Sequence, residues 1–276
     1  MTTHADRAAR FLALHREDRP LLLANAWDAG SAKLLASLGY QALATTSGGY
    51  AASLGRLDYG VTREESLAHA AALVAATDVP VSADLEECFA VDSAGVAETV
   101  RLALDAGLAG CSIEDWDPRE QRLYDVGEAA ERVAAAAEAA HAGDVHLVLT
   151  ARAENYLRGN PDLNDTISRL QAYREAGADV LYAPVLDRPE DLRELIAAVE
   201  LPVNVLARQG TPPVAELAEL GVKRISVGSG FAFAAYAAAV QVASELMNDG
   251  TYNFTDLSSA GAKAARTAFA PGRRAG

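Results

Sequence analysis

The chain has 276 residues, 50% of them apolar, and a formal charge of −14 with only three lysines, Lys33, Lys223 and Lys263. That balance excludes nucleic acid and anionic membrane surfaces as partners, since both select clustered positive charge. The length suits one large α/β unit or two small ones.

No long apolar run follows the N-terminal residues, and no window is expected to reach the roughly 18 apolar residues of a membrane span. Two cysteines, Cys88 and Cys111, form no disulfide framework and no zinc spacing, and read as reduced core thiols. The expectation is a soluble, cytoplasmic protein.

Residues 5 to 16 carry apolar side chains at helical spacing and predict a leading helix before Pro20. A unit then recurs eight times: a short apolar strand, a polar or Gly-containing loop, and a helix rich in Ala and Leu. The expected strands are 21–24, 42–45, 79–84, 110–114, 146–152, 180–183, 203–206 and 224–227. Helices are expected at 28–38, 62–77, 91–106, 127–141, 164–176, 188–199, 212–220 and 231–247.

Most strands are continuous apolar runs, the pattern of strands covered on both faces. Several helices end in Gly, at Gly39, Gly107, Gly177 and Gly221, where a left-handed cap is wanted. No Gly-x-Gly-x-x-Gly follows the first strand, so a closed (β/α)8 TIM barrel fits better than an open doubly wound sheet. No linker divides the chain, which reads as a single domain over 1–276. The segment from about 250, including a weakly amphipathic 257–269, finds no room in the ring and must pack elsewhere, a second subunit being one option.

In a barrel, functional groups collect at the carboxyl ends of the strands. Val81-Ser-Ala-Asp-Leu-Glu-Glu87 ends in acids, echoed by Cys111-Ser-Ile-Glu-Asp115. If the strand runs on through Glu86, Asp84 and Glu86 share a face while Leu85 and Glu87 point away. Carboxylates crowded in this way are tolerable where a cation lies between them. Arg152 at the fifth strand end suits a substrate carboxylate, although an ion pair to Glu154 is the plainer use. Asn204 on the seventh strand is a further candidate, or simply satisfies barrel backbone.

Residues 47–60 hold four glycines and read as a mobile cover without secondary structure. From it, Asp58 could add a carboxylate, Ser47 and the Gly48 and Gly49 amides could bind an anion, and Tyr50 could donate a proton. All five histidines fall on helices, the N-terminus or a strand start, away from this face, so none is expected as acid, base or metal ligand.

Taken together, Ser47-Gly48-Gly49, Gly55-Arg-Leu-Asp58, Asp84-x-Glu86, Ser112-Ile-Glu114-Asp115, Ala151-Arg152 and Pro202-Val-Asn204 resemble the isocitrate lyase/phosphoenolpyruvate mutase superfamily over roughly residues 10 to 250. The resemblance implies a (β/α)8 barrel whose last helices are exchanged between subunits of a homo-oligomer, a dimer or more often a tetramer. It implies Mg²⁺, with Mn²⁺ as a substitute, bound directly by Asp84 and through water by Asp58, Glu86 and Glu114, with Arg152 on a small carboxylate substrate. It also implies an enolate intermediate.

The chain departs from the family's signatures after Glu114. The region Glu114-Asp-Trp-Asp-Pro-Arg-Glu-Gln-Arg-Leu-Tyr124 lacks both the lyase Lys-x-Cys-Gly-His and the mutase Lys-x-Asn-Ser, though Arg119 and Arg122 could stand in. The reading is C–C cleavage in a small 2-oxo or 2-hydroxy acid, of the oxaloacetate decarboxylase or atypical lyase kind. The alternatives are C–P chemistry, as a mutase or phosphonopyruvate hydrolase, and a silent carboxylate-binding barrel.

Overall fold

The computed structural model describes residues 2–270. Helix α1 (His4–Leu14) opens the chain behind a capping box of Thr3 and Asp6. There follow β1 (Leu21–Asn25), α2 (Ala29–Ser37), β2 (Leu43–Ala44), α3 (Ser47–Ser53), α4 (Arg63–Ala76), β3 (Val81–Asp84), α5 (Ser93–Asp105) and β4 (Gly110–Glu114). A hairpin of β5 (Trp116–Asp117) and β6 (Arg122–Leu123) interrupts the alternation. It resumes with α6 (Val126–His141), β7 (Val148–Arg152), α7 (Leu163–Glu175), β8 (Val180–Tyr182), α8 (Pro189–Val199), β9 (Val203–Leu206), α9 (Val214–Glu219) and β10 (Arg224–Ser226). The chain ends in α10 (Gly230–Asn248) and α11 (Thr255–Phe269).

Strands β1, β2, β3, β4, β7, β8, β9 and β10 close in that order into a parallel barrel, the (β/α)8 fold expected from the sequence. The helix-terminating glycines do the work assigned to them: Gly39, Gly107, Gly177 and Gly221 sit at φ +95°, +82°, +101° and +94°, where an L side chain is strained.

The main core lies between strands and surrounding helices, from Leu43 and Leu73 to Leu181 and Leu195. A smaller cluster, including Phe11, Leu21, Leu23 and Val148, fills the amino-terminal end of the barrel under α1. There Gly110 lets Phe11 approach, since a Cβ at that position would meet Phe11 Cε1 at 2.6 Å.

Three expectations are corrected. Residues 47–53 are helical because Thr46 caps α3, accepting from the Gly49 amide, so within 47–60 only the stretch from Leu54 to Gly60 lies outside helix and strand. The eighth helix, α10, leaves the ring: Ala232 is its one buried residue, and Phe233, Tyr236, Val240 and Met247 are exposed. By length and composition α10 could also cross a membrane, contrary to the sequence expectation. Its alanines are individually unremarkable, but only Glu245 carries charge. Helices that pack on other protein pass the same test. Helix α11, expected to need a place outside the ring, packs on α2 of its own chain, where Phe269 lies 3.6 Å from a Cβ built at Gly30. Residues 271–276 of the expected extension lie outside the described residues.

Barrel shear sets the site. Glu114 is in register with Arg152, Arg152 with Tyr182, Tyr182 with Asn204, and Asn204 with Arg224. One row of residues therefore descends from the carboxyl end of β4 to the first residue of β10.

Candidate active site

A cavity of about 140 Å³ opens at the carboxyl ends of the strands. Its wall includes Thr45, Ser47, Asp58, Asp84, Ser112 and Arg152, with Tyr182, Asn204 and Arg224 toward the barrel interior.

Asp84, the last residue of β3, is held by both oxygens. Oδ2 accepts from the Ser47 hydroxyl at 3.1 Å and the Ser47 amide at 3.3 Å, while Oδ1 accepts from Arg152 Nη1 at 3.1 Å and Ser112 Oγ at 3.4 Å. Arg152 also reaches Glu154 at 2.8 Å and Glu114 at 3.2 Å. Of the two uses foreseen for Arg152, the ion pair to Glu154 is present, and the side chain also faces the cavity.

Glu86 arrives by a route other than the one argued from alternation. The strand ends at Asp84, and Glu86 sits in a turn at φ +52°, the left-handed region uncommon for non-glycine residues. It is buried, and its Oε1 has no hydrogen-bond partner. Burial above all, then the charges of Asp84, Asp58 and Glu114, push its carboxyl up to about 9. Burial and then Glu154 push Glu114 well above the carboxylate range. Asp58 stands at the rim, and burial of its carboxyl, then the Asp84 charge, raise it too. Glu87 faces Arg119, Arg132 and Asp117 instead and is outside the group.

Mutually raised carboxyls and a buried carboxylate oxygen without a partner are what a cation would relieve. The donor set is all oxygen, suited to Mg²⁺ or Mn²⁺. It is not a tight cage. Among the described residues no trio of these acids brings its oxygens within 4.8 Å of one another, so the four acids do not all reach one cation directly.

Several expected site residues lie elsewhere. Tyr50 does not line the cavity; it stacks on His69 with ring centroids 3.8 Å apart, and His69 is therefore nearer to this face than expected. The Gly49 amide is taken by Thr46. Gly48 is a spacer: a Cβ there would lie 2.9 Å from Ser229 Oγ and 3.3 Å from the Asp58 carboxyl. Asn204 lines the cavity but is engaged on both sides, donating to Ser226 Oγ and accepting from Arg224 Nε.

Three residues were not singled out from the sequence. Tyr59, at φ +61°, donates to Glu114 and touches Arg158. Arg158 lies 3.4 Å from Glu154 and over the Trp116 ring at 4.2 Å. Arg224 is fully enclosed, and its partners are Asn204, Thr150 and His15; among the described residues it has no ion pair. Burial draws it down to about 10. An Arg opening a barrel strand and pointing inward was the available signal.

The 116–124 loop does not line this cavity; through Pro118, Arg119 and Gln121 it borders a neighbouring one shared with Asp58 and Glu86. Arg119 is spent on Asp117, the Ala90 carbonyl and Tyr124, and Arg122 on Glu128. Its base is pinned through Asp115, which accepts from the Glu154 amide, Arg169 and Tyr173 at 2.7, 2.9 and 2.6 Å.

Fold and site define a (β/α)8 barrel that gathers acids and two arginines, Arg152 and Arg224, around a small cavity at the carboxyl ends of its strands. The chain belongs to the phosphoenolpyruvate phosphomutase family, whose profile matches residues 11–247, and so to the isocitrate lyase/PEP mutase superfamily. It is 30% identical to the 2-methylisocitrate lyase of Escherichia coli (strain K12), over 77% of this chain and 74% of that one. It is 30% identical to the 2,3-dimethylmalate lyase of Eubacterium barkeri, over 88% and 87%. A solved structure of a candidate lyase/mutase from Burkholderia cenocepacia J2315 superposes with a TM-score of 0.93 at 48% identity, covering 97% of each chain. The two named relatives, from Escherichia coli and Eubacterium barkeri, are both lyases.

Proposed function

We propose that this chain is a divalent-metal-dependent lyase that breaks a C–C bond in a small 2-oxo or 2-hydroxy acid, of the oxaloacetate decarboxylase or atypical lyase kind. The observation that carries this reading is the cation layout. Arg152 stands on the wall of a cavity of about 140 Å³ and Arg224 lies deeper in the barrel, while Arg119 and Arg122 are bonded elsewhere. A phosphonate would need donors from that hairpin, so C–P chemistry is the weaker reading. A silent barrel would leave a group of mutually repelling acids without a purpose.

Asp84, with Asp58, Glu86 and Glu114 behind it through water, would hold Mg²⁺ or Mn²⁺, which supplies a Lewis acid for the oxygens of the substrate's first two carbons. Arg152 binds the substrate carboxylate and stabilises the negative charge that develops on the neighbouring oxygen as the C–C bond breaks. In a decarboxylation the bonding pair passes to the enolate, CO₂ leaves neutral, and a proton is then needed at carbon. Tyr50 is stacked on His69 and does not line the cavity, and Asp58 is committed to the metal's waters, so that proton comes from solvent. Arg224 supplies positive potential from below, favouring a bound anion.

Cytoplasmic location and a homo-oligomer belong to the same proposal. A helix as apolar and bare as α10 is explained if a second copy covers it by helix exchange.

The test is turnover of oxaloacetate, 2-methylisocitrate, 2,3-dimethylmalate, phosphonopyruvate and phosphoenolpyruvate, each with Mg²⁺ and with chelator. Metal-dependent cleavage of one of the first three supports the proposal. Activity confined to the phosphorus compounds, or Mg²⁺-dependent oxalate binding that survives Asp84→Ala, overturns it.

A further inference from the structure

At the opposite, amino-terminal end of the barrel, His141 ends α6, His146 leads into β7, and Asp179 leads into β8. His141 Nε2 lies 3.1 Å from Asp179 Oδ2 and His146 Nε2 lies 2.9 Å from Oδ1. The two imidazoles stack with centroids 4.1 Å apart and planes 10° from parallel, so both nitrogens converge on one carboxylate. Among the described residues this is the one trio of His, Cys, Asp or Glu side chains whose ligand atoms all lie within 4.8 Å of one another.

The geometry points to a second metal site here, for a borderline divalent cation such as Zn²⁺, with His141, His146 and Asp179 as ligands. Ligands sharing a tetrahedral Zn²⁺ at about 2.0–2.1 Å stand roughly 3.3 Å apart; with one oxygen from Asp179 the three ligand atoms here lie within 4.8 Å of one another, so small side-chain shifts bring them onto one ion. Two imidazoles and a carboxylate are a Zn²⁺, Co²⁺ or Ni²⁺ donor set, whereas the all-oxygen site at the other end of the barrel suits Mg²⁺. The carboxylate is oriented by an outer partner, since the Leu149 amide donates to Asp179 Oδ2 at 2.8 Å. An entry path exists, because the His141 and His146 side chains are 28% and 40% exposed. Three protein ligands leave a fourth position for water.

The trio joins the α6–β7 turn to the start of β8. A cation there would clamp two neighbouring barrel strands from below, on the face of the barrel that serves stability rather than catalysis. The inference is independent of the proposed reaction. The two histidines lie away from the catalytic face, as the sequence placed them, and the inference gives them a ligand role there.

The experiment is calorimetry of Zn²⁺ into the untagged, chelator-stripped full chain in saturating Mg²⁺, with the absorption spectrum of added Co²⁺ as a second readout. One Zn²⁺ per chain, intense visible Co²⁺ bands of four-coordinate type and a raised Tm are expected. His141→Gln and His146→Gln keep a group able to donate to Asp179. Each should weaken Zn²⁺ binding by roughly 100-fold or more, since losing even an outer partner costs 10–100-fold. Absence of Zn²⁺ binding and of four-coordinate Co²⁺ bands in the parent chain overturns the inference without reference to any variant. So does stoichiometric binding that the double Gln variant leaves unchanged.

Discussion

Glu86→Gln should stabilise the metal-free protein, and the gain should depend on pH. In the folded chain this carboxyl is pushed up to about 9 from 4.5. A raised folded value means that its contribution to stability is complete below 4.5 and is lost as pH climbs toward 9. Between its ordinary value and pH 7 the loss is roughly 3 kcal/mol, at about 1.4 kcal/mol per pH unit. Glutamine has nearly the same shape and no charge to desolvate. Its amide inherits the unpartnered position of Oε1, which costs about 1 kcal/mol. The net gain at pH 7 is therefore about 2 kcal/mol, vanishing near pH 5. Urea unfolding of both chains in chelator at pH 5, 7 and 8.5 measures it, and repeating the series in Mg²⁺ should erase or reverse the gain as the metal-bound parent recovers. A variant less stable than the parent at pH 7 in chelator, or a gain that does not grow with pH, would refute the reasoning.

Arg152→Lys loses the fork that spans Asp84, Glu114 and Glu154; kcat on the best substrate of the panel should fall by roughly 100-fold, and a loss under tenfold argues against its role. Arg224→Met removes a buried cation that has no ion pair among the described residues, so oxalate should bind roughly tenfold more weakly by calorimetry while the protein stays folded. Unchanged oxalate affinity would make Arg224 purely structural. Gly48→Ala places a methyl against Ser229 and Asp58; turnover should drop more than the urea midpoint moves. His15 is buried and held down at about 3, first by desolvation and then by Arg224. A depressed histidine contributes stability above 6.5 that is lost as pH falls toward 3, so the parent should lose about 2 kcal/mol between pH 6.5 and 5. His15→Gln should flatten that decline.

The barrel was readable because its signals are local and repeated. Apolar runs such as Val180–Tyr182 and left-handed glycines such as Gly177 state their roles within a few residues. The acids of β3 and β4 were readable because barrel topology puts every strand end on one face. What stayed hidden depends on tertiary geometry. Gly48 and Gly49 argue against a helix by propensity, but Thr46 capping and the close approach of Asp58 and Ala232 make α3 there. Glu86 enters from a turn that strand alternation cannot describe. Tyr59 and Tyr50 look alike in sequence, and only the fold shows one against Glu114 and the other against His69. Arg224 lies at the start of its strand, where the carboxyl-end rule does not look. The helix α10 satisfied the helical pattern without revealing that it stands clear of the barrel.

The pinned hairpin has a consequence for how such enzymes diversify. Asp115 closes the base of residues 116–124 through Arg169, Tyr173 and the Glu154 amide, and its own carbonyl accepts from the Tyr124 amide at 2.9 Å. Everything between those anchors hangs outside the barrel hydrogen bonds, while Asp84 and Glu114 are fixed by β3 and β4 inside them. The hairpin is thus a cassette. Its contents can be exchanged without disturbing Asp84 or Glu114.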